Sequence, residues 1–205
     1  MNVKRRTQAE RSATTRVALV EAGRRLFAAH GFAGVGTEAI VREAAVSRGA
    51  LYHQFADKTE LFAAVLADVE RDVSQHLAEV AGAAAEAGFA EVFMGAVEAW
   101  LDLCERPEIQ RIVLVDGPSV LGWVRWREIC QPHVLGLLQA VLAQGMAAGE
   151  VEQQPVRPLS HALIAVADEA AMYVASADDP ATARREMLDV ARGLLRSVAT
   201  GQRTG

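Results

Sequence analysis

At 205 residues and 51% hydrophobic, the chain can bury a real core in one large or two small domains and is too apolar to stay disordered. Its two cysteines, Cys104 and Cys130, exclude a disulfide framework and suit a reducing compartment. The net charge of −5 is uneven: residues 1–62 carry +4 and residues 63–205 carry −9, so a polyanionic partner suits the head alone.

In chain order, "KRR" near the start is followed by "TQAERSATT" rather than an apolar segment, so no secretory signal is expected and the cytoplasm is the expected compartment. No apolar run reaches the roughly 18 residues of a membrane span, so no membrane partner is expected. "RVALVEAGRRLFAAHG" predicts a first helix with Val17, Val20, Leu26 and Phe27 on one side and Gly31 as its stop. "TEAIVREAA" predicts a short second helix with Thr37 as N-cap, and Ser47 caps a third helix running to about Phe55. Asp57 and Glu60 have capping-box spacing at the start of a long fourth helix, which "GAAAEAG" interrupts. Further helices are expected at about 88–106, 107–116 and 118–131. Pro132 should break or kink the last of these before "HVLGLLQAVLAQGMAAGE" resumes. After a polar loop, two final helices are expected at about 158–176 and 180–199, the last with Asp179 as cap and Pro180 at its first position. No repeat and no strand is legible, so the expected fold class is all-α.

The third helix carries the sharpest signal. At about 100° per residue, Leu51 and Phe55 define a buried direction, and Gly49 and His53 fall roughly opposite it. Ala50 and Tyr52 flank that outer face, and Arg48 is long enough to reach round it. The face is nearly bare, which permits close approach to another surface. A major groove is wide enough to admit a helix. The same phase would also suit packing of Gly49 and Ala50 against a helix of the body, with Tyr52 as a boundary residue and His53 as an ordinary surface histidine.

The stretch 17–62 resembles the DNA-binding head of the tetracycline-repressor (TetR) family. The resemblance rests on "LVEAGRRLFAAHGF", Thr37 and "AIVREAAVSRGALYHQFADKTELF", with Phe55, Lys58 and Leu61 completing the pattern. It implies an N-terminal three-helix helix-turn-helix head over 1–62, joined by a long helix to a helical ligand-binding and dimerisation body over 63–205. It implies that Thr37 and Ser47 cap helices and donate to phosphates. Arg48, Gly49 and Ala50 would meet base edges, Tyr52 and Lys58 would reach phosphates, and His53 would touch backbone or base. Two positions depart from the family. Ala45 stands where the family usually has a glycine in the turn, and a positive φ there would cost alanine about 1 kcal/mol. Gln54 stands where a histidine is common, and it can still donate to phosphate. The basic arm of Lys4, Arg5, Arg6 and Arg11 is either a minor-groove contact or a solvated tail.

The resemblance also implies a small-molecule effector and a homodimer paired through the last two helices. Leu163, Val166 and Ala170 on one helix, and Met187, Val190, Leu194 and Val198 on the next, form apolar stripes suited to a four-helix interface. Either stripe would equally suit the chain's own core. Apolar walls for an effector pocket are available in Phe89, Phe93, Trp100, Cys104, Trp123, Trp126, Met146, Met172 and Tyr173, with His133 among the polar groups. Asp116, Arg125 and His161 are further polar candidates, and each pocket residue also reads as plain core. An effector recognised by these residues would be largely apolar or aromatic. The histidines and cysteines lack ligand spacing, so no metal is expected. No nucleophile–base spacing recommends a catalytic site, and no cofactor is implied. The chain therefore reads as a ligand-responsive transcriptional regulator, most simply a repressor, binding a near-palindromic double-stranded DNA operator. The rival readings are a helical binding protein or enzyme with a vestigial head, and an architectural DNA-binding protein without a ligand.

Overall fold

Helix breaks in this chain fall where backbone chemistry demands them, at caps, at positive φ and at prolines. The computed structural model describes residues 7–84 and 86–196, with the His133 side chain not described. Among these residues there are α-helices, one π-helical segment and no strand. Lys4, Arg5, Arg6 and Val198 lie outside the described residues. The chain divides into two compact units, residues 1–70 with 107–129, and residues 71–106 with 130–205. The division expected at 62/63 and the packed units therefore differ: the first unit runs on to Glu70, inside a helix, and takes in a later segment.

In the first unit, α1 spans Gln8–Gly34. It starts earlier than its apolar period, because Thr7 and Glu10 form a full capping box: Glu10 N–H donates to Thr7 Oγ1 at 3.2 Å, and Thr7 N–H to Glu10 Oε2 at 2.7 Å. Its buried stripe is Leu19, Ala22, Gly23 and Phe27, whereas Val17 is 56% exposed. The expected stripe holds at Phe27 and fails at Val17, because Leu19, Ala22 and Gly23 do the packing instead. A Cβ on Gly23 would lie 3.1 Å from Val65 Cγ2, so the helix that carries Val65 approaches α1 closely there. The stop at Gly31 is real: φ 70°, ψ 166° breaks the regular helix, in a region that glycine alone adopts readily.

The next helices are α2 (Thr37–Glu43), α3 (Arg48–Gln54) and α4 (Lys58–Ala83). The N-cap of α2 is Gly36, one residue before the expected Thr37, which instead opens the helix. A Schellman turn ends α2: Val46 N–H donates to Val41 O at 3.0 Å and Ala45 N–H to Arg42 O at 3.2 Å. That motif requires a left-handed residue, and Ala45 takes φ 52° to supply it. Asp57 caps α4 by accepting from Glu60 N–H at 2.9 Å. The return bond of a capping box is replaced, because the Glu60 carboxylate receives Arg125 Nη1 and Nη2 at 2.8 Å each. Phe27, Phe32 and Phe62 close the core, with ring centroids 5.2–5.8 Å apart.

The later segment of this unit is not two plain helices. It contains α6 (Pro107–Ile109), a π-helical stretch Gln110–Asp116, α7 (Gly117–Leu121) and the start of α8 (Trp123–Ala147). Asp116 accepts the Phe32 N–H at 2.7 Å, and Arg24 pairs with both Glu108 at 2.6 Å and Asp68 at 2.9 Å. Trp126 donates from Nε1 to Val113 O at 3.0 Å, satisfying a carbonyl within the π-helical stretch. Pro132 does not break the chain into two helices: α8 continues through it.

In the second unit, α5 (Phe89–Cys104), α9 (Val156–Ser176) and α10 (Pro180–Arg196) pack with the later part of α8. Trp100 Nε1 donates to Ala167 O at 3.2 Å, tying α5 to α9. Arg184 pairs with Asp102 and Glu105, and Arg192 with Glu98, tying α5 to α10. Asp179 caps α10 through Thr182 N–H at 3.2 Å, as the sequence predicts.

Candidate nucleic-acid interface

The phase of α3 is the expected one. Leu51 (0% exposed) and Phe55 (4%) face inward, while Arg48, Gly49, Tyr52 and His53 are exposed and Ala50 is half-buried. A Cβ placed on Gly49 would meet nothing nearer than Ser47 Oγ at 3.9 Å. Within the first unit, no helix packs on this face among the described residues. Ser47 starts the helix by accepting from Ala50 N–H at 3.1 Å.

Around the bare face stand the polar groups. Arg48 Nη1 lies 3.2 Å from Glu38 Oε1, and its guanidinium lies 5.7 Å from the Tyr52 ring centroid. The hydrogen bond to Tyr52, then the charges of Tyr52 and Glu38, push the Arg48 pKa above its ordinary value, so the group is a permanent cation. Thr37 Oγ1 lies 3.4 Å from the second Glu38 oxygen. Lys58 sits differently. Half-buried, it donates from Nζ to Phe32 O and Val35 O, each at 2.9 Å, with the Phe32 ring 4.0 Å away. Two of its three N–H bonds are thus spent on carbonyls at the end of α1.

Gln54 turns toward α1. Its Nε2 donates to Ser12 Oγ at 2.7 Å, and its backbone carbonyl accepts from Arg16 Nη1 at 3.4 Å. Arg16 also covers the Phe55 ring at 4.4 Å. Sequence reasoning missed Ser12, Arg16 and Glu38. The Gln54 partners lie 38 and 42 residues away, and no local pattern points to them.

The body candidates separate. Trp123 and Trp126 lie in the first unit with ring centroids 4.9 Å apart, Trp123 exposed and Trp126 buried. Asp116 and Arg125 are there too, engaged with Phe32 and Glu60. Phe93, Trp100 and Cys104 are buried in the second unit, whereas Met172 (51%) and Tyr173 (46%) are exposed on α9. A cavity of about 130 Å³ in the second unit is walled by Phe89, Val92, Val141 and Gly145, with Gln144 and Glu150 as polar groups. Of the expected pocket residues that are described, Phe89 lines it and the others do not.

On α9, Leu163 (6%) and Ala170 (0%) face the unit's own core and Val166 is half-buried. On α10, Val190 (55%) and Leu194 (48%) are exposed and Met187 is half-buried. Among the described residues no group of three or more His, Cys, Asp or Glu side chains could hold a metal, and no helix is long and apolar enough to cross a membrane.

Known proteins share this architecture. Residues 19–65 match the family described as "Bacterial regulatory proteins, tetR family", and residues 90–198 match "Tetracyclin repressor-like, C-terminal domain". The HTH-type transcriptional repressor AcnR of Corynebacterium diphtheriae is 29% identical over 184 residues, covering 87% of this chain and 90% of that protein. A TetR-family transcriptional regulator from Pectobacterium atrosepticum superposes with a TM-score of 0.83 at 29% identity, covering 97% of this chain and 100% of that one. The fold is also that of RolR, solved in complex with resorcinol, at a TM-score of 0.72 and 21% identity, covering 91% of this chain and 95% of that one. With matches over both the helix-turn-helix head and the helical body, the chain belongs to the TetR family of DNA-binding transcriptional regulators.

Proposed function

We propose that the chain is a cytoplasmic, ligand-responsive repressor that binds a near-palindromic operator as a homodimer and is released by a small molecule. The observation that carries this reading is the α3 surface: Gly49 opens onto empty space between Arg48, Tyr52 and His53, while Leu51 and Phe55 anchor the helix below. Such a surface admits the close approach that base edges in a major groove require. Phosphate contacts from Thr37, Ser47, Tyr52 and the remaining N–H of Lys58 would fix the register, and base contacts from Arg48, Gly49 and Ala50 would specify sequence. Residues 1–62 would read DNA and residues 63–205 would sense and pair.

Pairing through Met187, Val190 and Leu194 of α10 is supported by the exposure of Val190 and Leu194 beside half-buried Met187. A dimer would set two α3 helices about 34–36 Å apart in successive major grooves. An apolar or aromatic effector is supported by Phe89, Val92 and Val141 in the cavity wall, beside polar Gln144 and Glu150, and by the resorcinol bound to RolR. The effector would act by preferring a dimer whose spacing no longer fits DNA. Selection of bound fragments from random DNA tests the reading. Two half-sites one helical turn apart are expected, and recovery of no palindromic motif at moderate salt would overturn it.

A further inference from the structure

A carboxylate on a face that reads DNA is costly, because it meets a polyanion. Glu38 is such a group. It lies in the first turn of α2, its side chain 65% exposed, beside the first turn of α3. Its Oε1 lies 3.2 Å from Arg48 Nη1, and its Oε2 lies 3.4 Å from Thr37 Oγ1. Arg48 is thereby held between a carboxylate on one side and the Tyr52 ring on the other. A guanidinium has five N–H donors, so one edge can stay on Glu38 while others face outward.

We propose that Glu38 is a specificity-determining residue that tethers Arg48 toward base edges and withholds it from phosphates. The inference rests on the DNA-reading function proposed above. A phosphate that draws Arg48 away leaves Glu38 uncompensated against the backbone. A guanine offers O6 and N7 to the free edge of the guanidinium without breaking the pair, and the cytosine N4 amino group opposite suits the carboxylate. Glu38 thus lowers affinity for arbitrary DNA more than affinity for the operator, and specificity rises through the penalty on the wrong target.

Glu38→Gln tests this, with wild type, Arg48→Ala and the double variant alongside. Each is taken through selection from random DNA and through binding titrations at several salt concentrations. For Glu38→Gln, affinity for random-sequence DNA should rise about two- to fivefold, the range an exposed ion pair supports. Its salt slope should steepen by about one, since one more cation is free for phosphate. The preference for one G·C pair should weaken at the position that Arg48→Ala also loses, and the double variant should lose no more than Arg48→Ala alone. An unchanged motif with operator and random DNA gaining equally would make Glu38 a plain repulsive charge and overturn the inference while leaving the DNA-reading function intact. A wild-type selection without any motif would overturn both.

Discussion

Ala45 shows how a single residue can be strained by the motif it serves. The Schellman turn after α2 needs a left-handed residue, and Ala45 takes φ 52° to provide it. Alanine there costs roughly 1–2 kcal/mol, while glycine loses about 0.5–1 kcal/mol of unfolded-state entropy. Ala45→Gly should therefore stabilise the protein by about 0.5–1 kcal/mol, read as a rise of a few degrees in the thermal midpoint. Lys58 illustrates a residue with two employers. Its ammonium closes the carbonyls of Phe32 and Val35. Lys58→Ala should cost about 1.5–3 kcal/mol of stability in denaturant titrations, the worth of hydrogen bonds to a charged group. If its third N–H also reaches phosphate, the variant, measured where it remains folded, lowers the salt slope by about one and leaves base preference unchanged. A changed base preference would move Lys58 into direct readout.

At the scale of elements, caps decide where helices begin, and one of them is an acid sensor. Asp179 caps α10, and its bonds with Thr182 hold its carboxyl below the ordinary value. A depressed folded pKa contributes stability above the unfolded value and loses it as pH falls through the folded one. Thermal midpoints of the wild type should therefore fall below about pH 4, and those of Asp179→Asn should be flatter over the same range. The far end of α3 is tied to α1 through Gln54, Ser12 and Arg16. The inward phase of α3 and the caps Ser47, Asp57 and Asp179 were legible because they follow from local period and local hydrogen bonds. The α1 stripe was not, because Ala22 and Gly23 bury a face that apolar counting overlooks. The ties from α1 to Gln54 join residues distant in sequence, and the π-helical stretch has no compositional signature.

For the whole molecule, family membership was legible from one quarter of the chain, because the head carries spacing that DNA imposes. The body was less legible: helix packing there constrains volume and apolarity more than identity. Its two final helices differ in how far their apolar stripes are covered. The α9 stripe serves the unit's own core, while Val190 and Leu194 of α10 remain exposed. Val190→Glu with Leu194→Glu should give a monomer in sedimentation velocity, with unchanged helicity and operator affinity reduced at least tenfold, since a single head loses its linked partner. A variant that stayed dimeric would remove α10 from the interface.

The stretch Gln110–Asp116 has a consequence in terms of chain length. Its backbone bonds span five residues where an α-helix spans four, so a spare residue is stored inside a helix instead of being looped out. Deleting one residue there would let the remainder close as an α-helix with Asp116 still facing the Phe32 N–H it now holds, because the wider turn is what absorbs the extra residue. The first unit should therefore keep its helicity when the stretch is shortened by one at exposed Val115, and lose stability when it is shortened by two, which would turn Asp116 by about 100°. That segment can give up a residue that a regular helix could not.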